Sequence, residues 1–165
     1  MPRDDIALSQ LGTAADKFQS DSQRDEGVVT EANVIPFPSQ DGRLDHFIQR
    51  DGQVFAGTHL IIDVWNAENL DDISHIEDTL KECVEVSGAT LLHCHLHRFN
   101  PEGVSGVLVL AESHISIHTW PEMGYAALDV FMCGDSEPHK AIDVLKRGFG
   151  TENVSVDDLR RGRVY

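Results

Sequence analysis

Ala111-Glu112-Ser113-His114-Ile115-Ser116-Ile117-His118-Thr119-Trp120-Pro121-Glu122 alternates polar and apolar side chains through its middle. Successive side chains of an extended chain point to opposite faces, so His114, Ser116, His118 and Trp120 share one face and Ile115 and Ile117 the other. A half-buried antiparallel strand accounts for the isoleucines. The other face carries imidazoles and a hydroxyl, the groups that move protons near neutral pH. Outward from this stretch, Gly103-Val104-Ser105-Gly106-Val107-Leu108-Val109-Leu110 precedes it and Gly124-Tyr125-Ala126-Ala127-Leu128-Asp129-Val130-Phe131-Met132-Cys133-Gly134 follows. These are three strand-like runs separated by turn residues. On neighbouring strands, Ser105, Ser113, His118 and Cys133 are able to converge.

The pattern continues on both sides. Thr58 to Trp65 reads as a strand. Leu70, Ile73, Ile76, Leu80, Cys83 and Val84 then recur at three- and four-residue spacing, an amphipathic helix ended by Gly88. Thr90 to Phe99 reads as a further strand, and Pro101-Glu102-Gly103 as a turn. After Pro121-Glu122-Met123-Gly124 and the strand from Tyr125 to Met132, Ser136 is positioned to cap a second helix with Ala141, Ile142, Leu145 and Phe149 inward. Val154 to Leu159 makes a last short strand. The expected fold class is α+β: a two-layer α/β sandwich, a mainly antiparallel sheet with two helices on one face. Residues 1–50 are rich in Asp, Gln, Ser and Thr without a sustained apolar period and read as a disordered N-terminal extension, leaving 51–165 as the folded domain.

Composition bounds the partners. The chain has 165 residues, 41% hydrophobic, and a formal net charge of −15, which disfavours nucleic acid and anionic membrane surfaces. A cationic small molecule is a more comfortable ligand. No apolar run approaches the ~18 residues of a membrane span and no signal-peptide pattern opens the chain, so a cytoplasmic protein is expected. Cys83, Cys94 and Cys133 lack CxxC spacing, which suggests neither a disulfide framework nor a structural zinc site.

The run from Gly103 to Glu122 followed by Gly124 to Gly134, with Gly57-Thr58-His59-Leu60, Gly88-Ala89-Thr90, His97-Arg98-Phe99 and Arg161-Gly162-Arg163, is similar to the short prokaryotic form of S-adenosylmethionine decarboxylase, a self-processing pyruvoyl-dependent family. The resemblance extends from Gly57 to Tyr165. It implies cleavage between Glu112 and Ser113, with Ser113 Oγ attacking the preceding carbonyl and the serine becoming a covalent pyruvoyl cofactor. It implies that Ser105 supports the reacting carbonyl, that His118 is the base for the elimination, and that Cys133 is the acid that protonates the substrate carbon. It puts Phe99 against the adenine of S-adenosylmethionine and Glu122 on the ribose, and has two protomers meeting to complete the site, a homo-oligomer of cleaved heterodimers. The pyruvoyl carbonyl condenses with the substrate amine and withdraws electrons as carbon dioxide departs. The decarboxylated product is the aminopropyl donor for spermidine biosynthesis.

Residue chemistry leaves alternatives open beside that resemblance. Trp120, like Phe99, offers an aromatic face to a sulfonium cation, an attraction of about 0.5–2 kcal/mol, or is an ordinary core aromatic. The same pyruvoyl machinery would serve an arginine or ornithine decarboxylase. His93, His95 and His97 lie on one strand face, where a metal-binding protein or a non-catalytic partner subunit would be the rival; a hydrogen-bonded polar face without metal is the expectation. Asp63 is the acidic group available for an activating diamine.

Overall fold

The computed structural model describes residues 47–164. Most of the expected N-terminal extension therefore lies outside the described residues. Its last three positions form β1 (Ile48–Arg50), which pairs with β2 (Gln53–Phe55) across an Asp51-Gly52 turn with both residues at positive φ. That is the geometry of a two-residue hairpin, for which Asp-Gly is a favoured pair. The expected boundary at residue 50 falls inside this hairpin.

Among the described residues, six strands form one antiparallel sheet in the order β4-β5-β6-β7-β3-β8. They are β3 (Gly57–Trp65), β4 (Leu91–Arg98), β5 (Val104–Leu110), β6 (Ser113–Trp120), β7 (Tyr125–Cys133) and β8 (Val154–Arg161). Two helices, α1 (Ile73–Val86) and α2 (Lys140–Gly148), cover one face. This is the two-layer α+β sandwich that the alternation implied.

Alternation sorts the side chains. Leu60, Ile62 and Val64 of β3, Ile115 and Ile117 of β6, and Ala126, Leu128, Val130 and Met132 of β7 pack with Ile76, Leu80, Cys83, Val84, Ala141, Val144, Leu145 and Phe149 in one core. Each large aliphatic side chain buried there contributes roughly 1.5–3 kcal/mol. The helices join directly: His75 Nε2 meets the Gly148 carbonyl at 2.6 Å, and Gly148 lies so close to Thr79 that a Cβ would collide with it. The opposite face carries His59, Ile61, Asp63 and Trp65 of β3 and their neighbours, with no helix over it.

Two local expectations are corrected. Leu70 is buried but precedes α1, because Asp72 is the N-cap, accepting the Ser74 and His75 N–H groups at 3.1 Å. Ser136 does not cap α2, which starts behind His139 without a side-chain cap. The Glu137 N–H bonds instead to the Ser87 carbonyl at the end of α1, so a turn intervenes before the helix. No helix among the described residues is long and apolar enough to cross a membrane.

Candidate active site

The hairpin between β5 and β6 has a two-residue loop, Ala111-Glu112, with Leu110 paired to Ser113. Glu112 has φ of 59°, in the left-handed region. A residue with a Cβ loses roughly 1–2 kcal/mol there, so strain sits on the residue that supplies the carbonyl to Ser113. Ser113 is 8% exposed, and its Oγ accepts the Cys133 N–H at 3.2 Å. Burial, reinforced by the Glu112 carboxylate, pushes the Cys133 thiol up, so it keeps its proton at neutral pH. These neighbours form one pair.

Ser105 and His118 form another. They are opposite one another in the β5–β6 ladder, and Ser105 Oγ lies 2.8 Å from His118 Nδ1. His97 stands across from Ser105 on β4. Phe99, just beyond β4, is half exposed with its ring edge against His97 at 4.9 Å. Trp120 stacks on Tyr125 at 5.2 Å, and Tyr125 on Trp65 at 4.2 Å, both tryptophans being open to solvent. Neither Phe99 nor Trp120 is a core residue. Glu122 is exposed in the 3-10 turn Pro121–Met123 that follows Trp120. The Tyr125 hydroxyl donates to Asp63 Oδ1 at 2.5 Å, and this bond, with burial adding to it, raises the phenol pKa to about 12.

The four residues Ser105, Ser113, His118 and Cys133 therefore meet as two separate pairs on neighbouring strands and do not converge on one point. Ser113 and His118 are at opposite ends of β6, five residues and about 17 Å apart at ~3.4 Å per residue. Between them Asp129 accepts the Ser116 hydroxyl at 3.0 Å and lies 3.2 Å from His59 Nε2, while Arg161 reaches His59 Nδ1 at 3.0 Å. Ser116 was expected on this face, whereas His59, Asp129, Tyr125 and Trp65 were not singled out in the sequence as members of it. The alternation through His59-Ile61-Asp63-Trp65 and Tyr125-Ala127-Asp129-Phe131-Cys133 marks them as outward, but which outward residues touch depends on register.

His93, His95 and His97 are two apart on β4, so their attachment points stand ~7 Å from one to the next and ~14 Å end to end. They cannot close on one ion in that conformation. No group of three His, Cys, Asp or Glu side chains able to hold a metal ion occurs among the described residues.

A family model for S-adenosylmethionine decarboxylase matches residues 58–162. The chain belongs to the S-adenosylmethionine decarboxylase family. Among the similar proteins, one named S-adenosylmethionine decarboxylase proenzyme from Methanococcus maripaludis is 50% identical over 109 residues, covering 64% of this chain and 89% of that protein. A proenzyme of the same name from Caldanaerobacter subterraneus is 42% identical over 109 residues, covering 64% and 88%. The crystal structure of the adenosylmethionine decarboxylase from Aquifex aeolicus matches at 32% identity and a TM-score of 0.59, covering 66% of this chain and 92% of that one. The matched region of this S-adenosylmethionine decarboxylase family member contains β3 through β8, both helices and both polar pairs.

Proposed function

We propose that this chain is a self-processing S-adenosylmethionine decarboxylase in which Ser113 becomes the pyruvoyl group and two copies build each active site. The observation that carries the reading is Glu112, held left-handed immediately before a buried serine in a region that matches the family. Ser113 Oγ attacks the Glu112 carbonyl carbon; a C–O bond forms, the C–N bond breaks, and the amide becomes an ester. Enforced proximity contributes up to ~7–11 kcal/mol to such intramolecular attacks. Removal of the Ser113 Cα proton then expels the Glu112 carboxylate, and water replaces the nitrogen with a ketone oxygen, releasing ammonia.

The residues fit the group that results. The Cys133 N–H that donates to Ser113 Oγ would follow that oxygen into the ester and then into the departing Glu112 carboxylate, where a donor favours the negative charge that develops. The pyruvoyl group supplies an electron-withdrawing carbonyl that takes up the electrons released as carbon dioxide leaves. Cys133, held protonated by its surroundings, returns a proton to the substrate carbon. Phe99 packs against the adenine, Trp120 flanks the sulfonium and Glu122 accepts from the ribose hydroxyls.

His118 is the base for the elimination and Ser105 steadies the oxyanion, yet both stand ~17 Å from Ser113 of their own chain. A second copy related by a two-fold axis, packed face to face, brings its Ser105–His118 pair against this chain's Ser113–Cys133 pair, and the reverse. The uncovered sheet face supports this assembly. Ile61, Trp65, Val109, Trp120 and Leu159 stand on it, each about 40% exposed, apolar surface that a second sheet would take from water. Cys83, Cys94 and Cys133 are all free, in keeping with a reaction in the reducing cytoplasm.

Intact mass and labelled substrate test the proposal. The purified chain should give two fragments, 1–112 and 113–165, the second lacking the serine nitrogen. Ser113→Ala should leave one uncut chain, and carboxyl-labelled S-adenosylmethionine should release labelled carbon dioxide while labelled arginine and ornithine do not. A wild-type chain that stays whole, or that prefers a basic amino acid, overturns it.

A further inference from the structure

We propose that Asp71 is a positioning residue for the nucleoside end of the substrate, acting through Arg98 and Gly103 on the loop that presents Phe99. This rests on the reading that Phe99 packs against the adenine.

The β4–β5 loop runs from Phe99 to Gly103, and Arg98 before it and Gly103 at its end are tied to one carboxylate. The Arg98 guanidinium donates to Asp71 Oδ2 and its Nε to the Asp71 main-chain oxygen at 3.4 Å; the Gly103 N–H donates to Asp71 Oδ1 at 2.9 Å. The Phe99 N–H closes the base of the loop on the Gly103 carbonyl at 2.7 Å. Gly103 has φ of 102° and a Cβ there would stand 3.1 Å from the Thr119 carbonyl, so the corner has one backbone solution that suits glycine. Arg98 continues the side of β4 that carries Cys94 and Leu96, the side packed against the core. With Arg98 pinned there, alternation sends the next ring, Phe99, towards the open face.

Asp71 can act as a fixed post because its own segment is anchored at several points. Asp72 caps α1. The Leu70 carbonyl accepts the Thr119 hydroxyl at 2.8 Å, and Thr119 Oγ1 in turn accepts the Val104 N–H at 2.7 Å. The Ala67 N–H donates to the Gly124 carbonyl at 2.9 Å, directly after the turn that carries Glu122. Residues 67–72 thus touch the segments that present Phe99, Ser105, His118 and Glu122. The Arg98 hydrogen bond, then that from Gly103, holds the Asp71 carboxyl below its usual range, so the post is charged throughout the working pH range.

A residue that only stabilised the fold would lower the melting temperature and leave substrate affinity alone. The test compares Asp71→Asn, Phe99→Ala and the double variant in the full chain, reading KM and kcat for S-adenosylmethionine beside cleavage on a denaturing gel. Asp71→Asn should raise KM about tenfold with kcat changed less than about threefold and cleavage intact. The double variant should show the KM of Phe99→Ala alone, because Asp71 acts through that ring. KM effects that multiply in the double variant, or an unchanged KM in Asp71→Asn when Phe99→Ala raises it, overturn the proposal and leave the Phe99 reading standing. An unchanged KM in Phe99→Ala overturns both. Should Asp71→Asn fail to fold, Arg98→Lys, which keeps the cation and loses the fork, is read against the same outcomes.

Discussion

At its start β6 holds Ser113 in a tight hairpin, enclosed, with its hydroxyl on the backbone N–H of Cys133; at its end it holds His118 in the open, on the rim of an aromatic stack. The enclosed end is built from adjacent residues and one strand pairing. The open end is built from turns that distant parts of the chain must hold, the segment from Ala67 to Asp72 above all. A strained peptide suits a bond that must break once, and an exposed aromatic rim suits the nucleoside end of a molecule that must enter and leave repeatedly. One strand carries both because its ends are too far apart to interfere.

The comparison is broken most sharply by separating the ends between two chains. His118→Ala and Ser113→Ala should each be almost inactive alone, yet expressed together they should form mixed dimers with up to about half the activity per dimer, since one of the two composite sites then has every group. No recovery on co-expression would mean that the ends do not meet across an interface. Cys133→Ala probes the enclosed end after cleavage: processing should proceed, while turnover falls by about 10²–10⁴. Because burial raises the thiol, the acid form persists beyond the ordinary value of 9.0, and activity that depends on it should fall only as pH rises through the higher value. A smaller effect is expected at the hinge between the pair and its loop. Glu112→Gly removes the left-handed penalty and should slow cleavage about tenfold if that strain lowers the barrier, as a change of ~1.4 kcal/mol would. An unchanged cleavage rate would show that the strain is not used.

The slightest change belongs to the open end. Tyr125→Phe removes the donor to Asp63 and should lower stability by about 1 kcal/mol at neutral pH. The folded phenol sits near 12 against an ordinary 10.0, so its contribution is complete below 10 and disappears as pH climbs from 10 towards 12. Alkaline denaturation should therefore show a component in that window that the phenylalanine variant lacks.

The layers of this fold are legible in the chain because period two and period three-to-four are local properties. Ile115 and Ile117 announce one face of β6, and Ile76, Leu80 and Cys83 one side of α1, without reference to anything distant. The β1–β2 hairpin escapes notice because three-residue strands such as Ile48–Arg50 are too short to show a period and lie beside polar sequence. Ser136 misleads for another reason: its helix-capping chemistry is sound, but the adjoining Glu137 is held by Ser87, a tertiary bond that no local pattern contains. At the site, Ser105, Ser113, His118 and Cys133 are legible as residue types and as members of adjoining strands. Register pairs Ser105 with His118 and brings the Cys133 N–H to Ser113, while the five-residue spacing of Ser113 and His118 along β6 separates the two pairs and, being odd, turns Ser113 to the buried face with Ile115 and Ile117. Asp71 gives the least warning, being one acid beside the helix cap Asp72, and only the folded loop joins it to Arg98 and Gly103.

The order β4-β5-β6-β7-β3-β8 has a consequence for the molecule after its backbone is severed before Ser113. One piece would own β3, β4 and β5 and the other β6, β7 and β8, so the pieces are woven together: β7 lies between two strands of different parentage, and β3 is flanked on both sides by strands from the other piece. They cannot drift apart without dismantling the core. Melted and cooled, though, the mature form must find its other half by collision, so its recovery should slow on dilution, whereas the intact precursor carries its partner strands on the same thread.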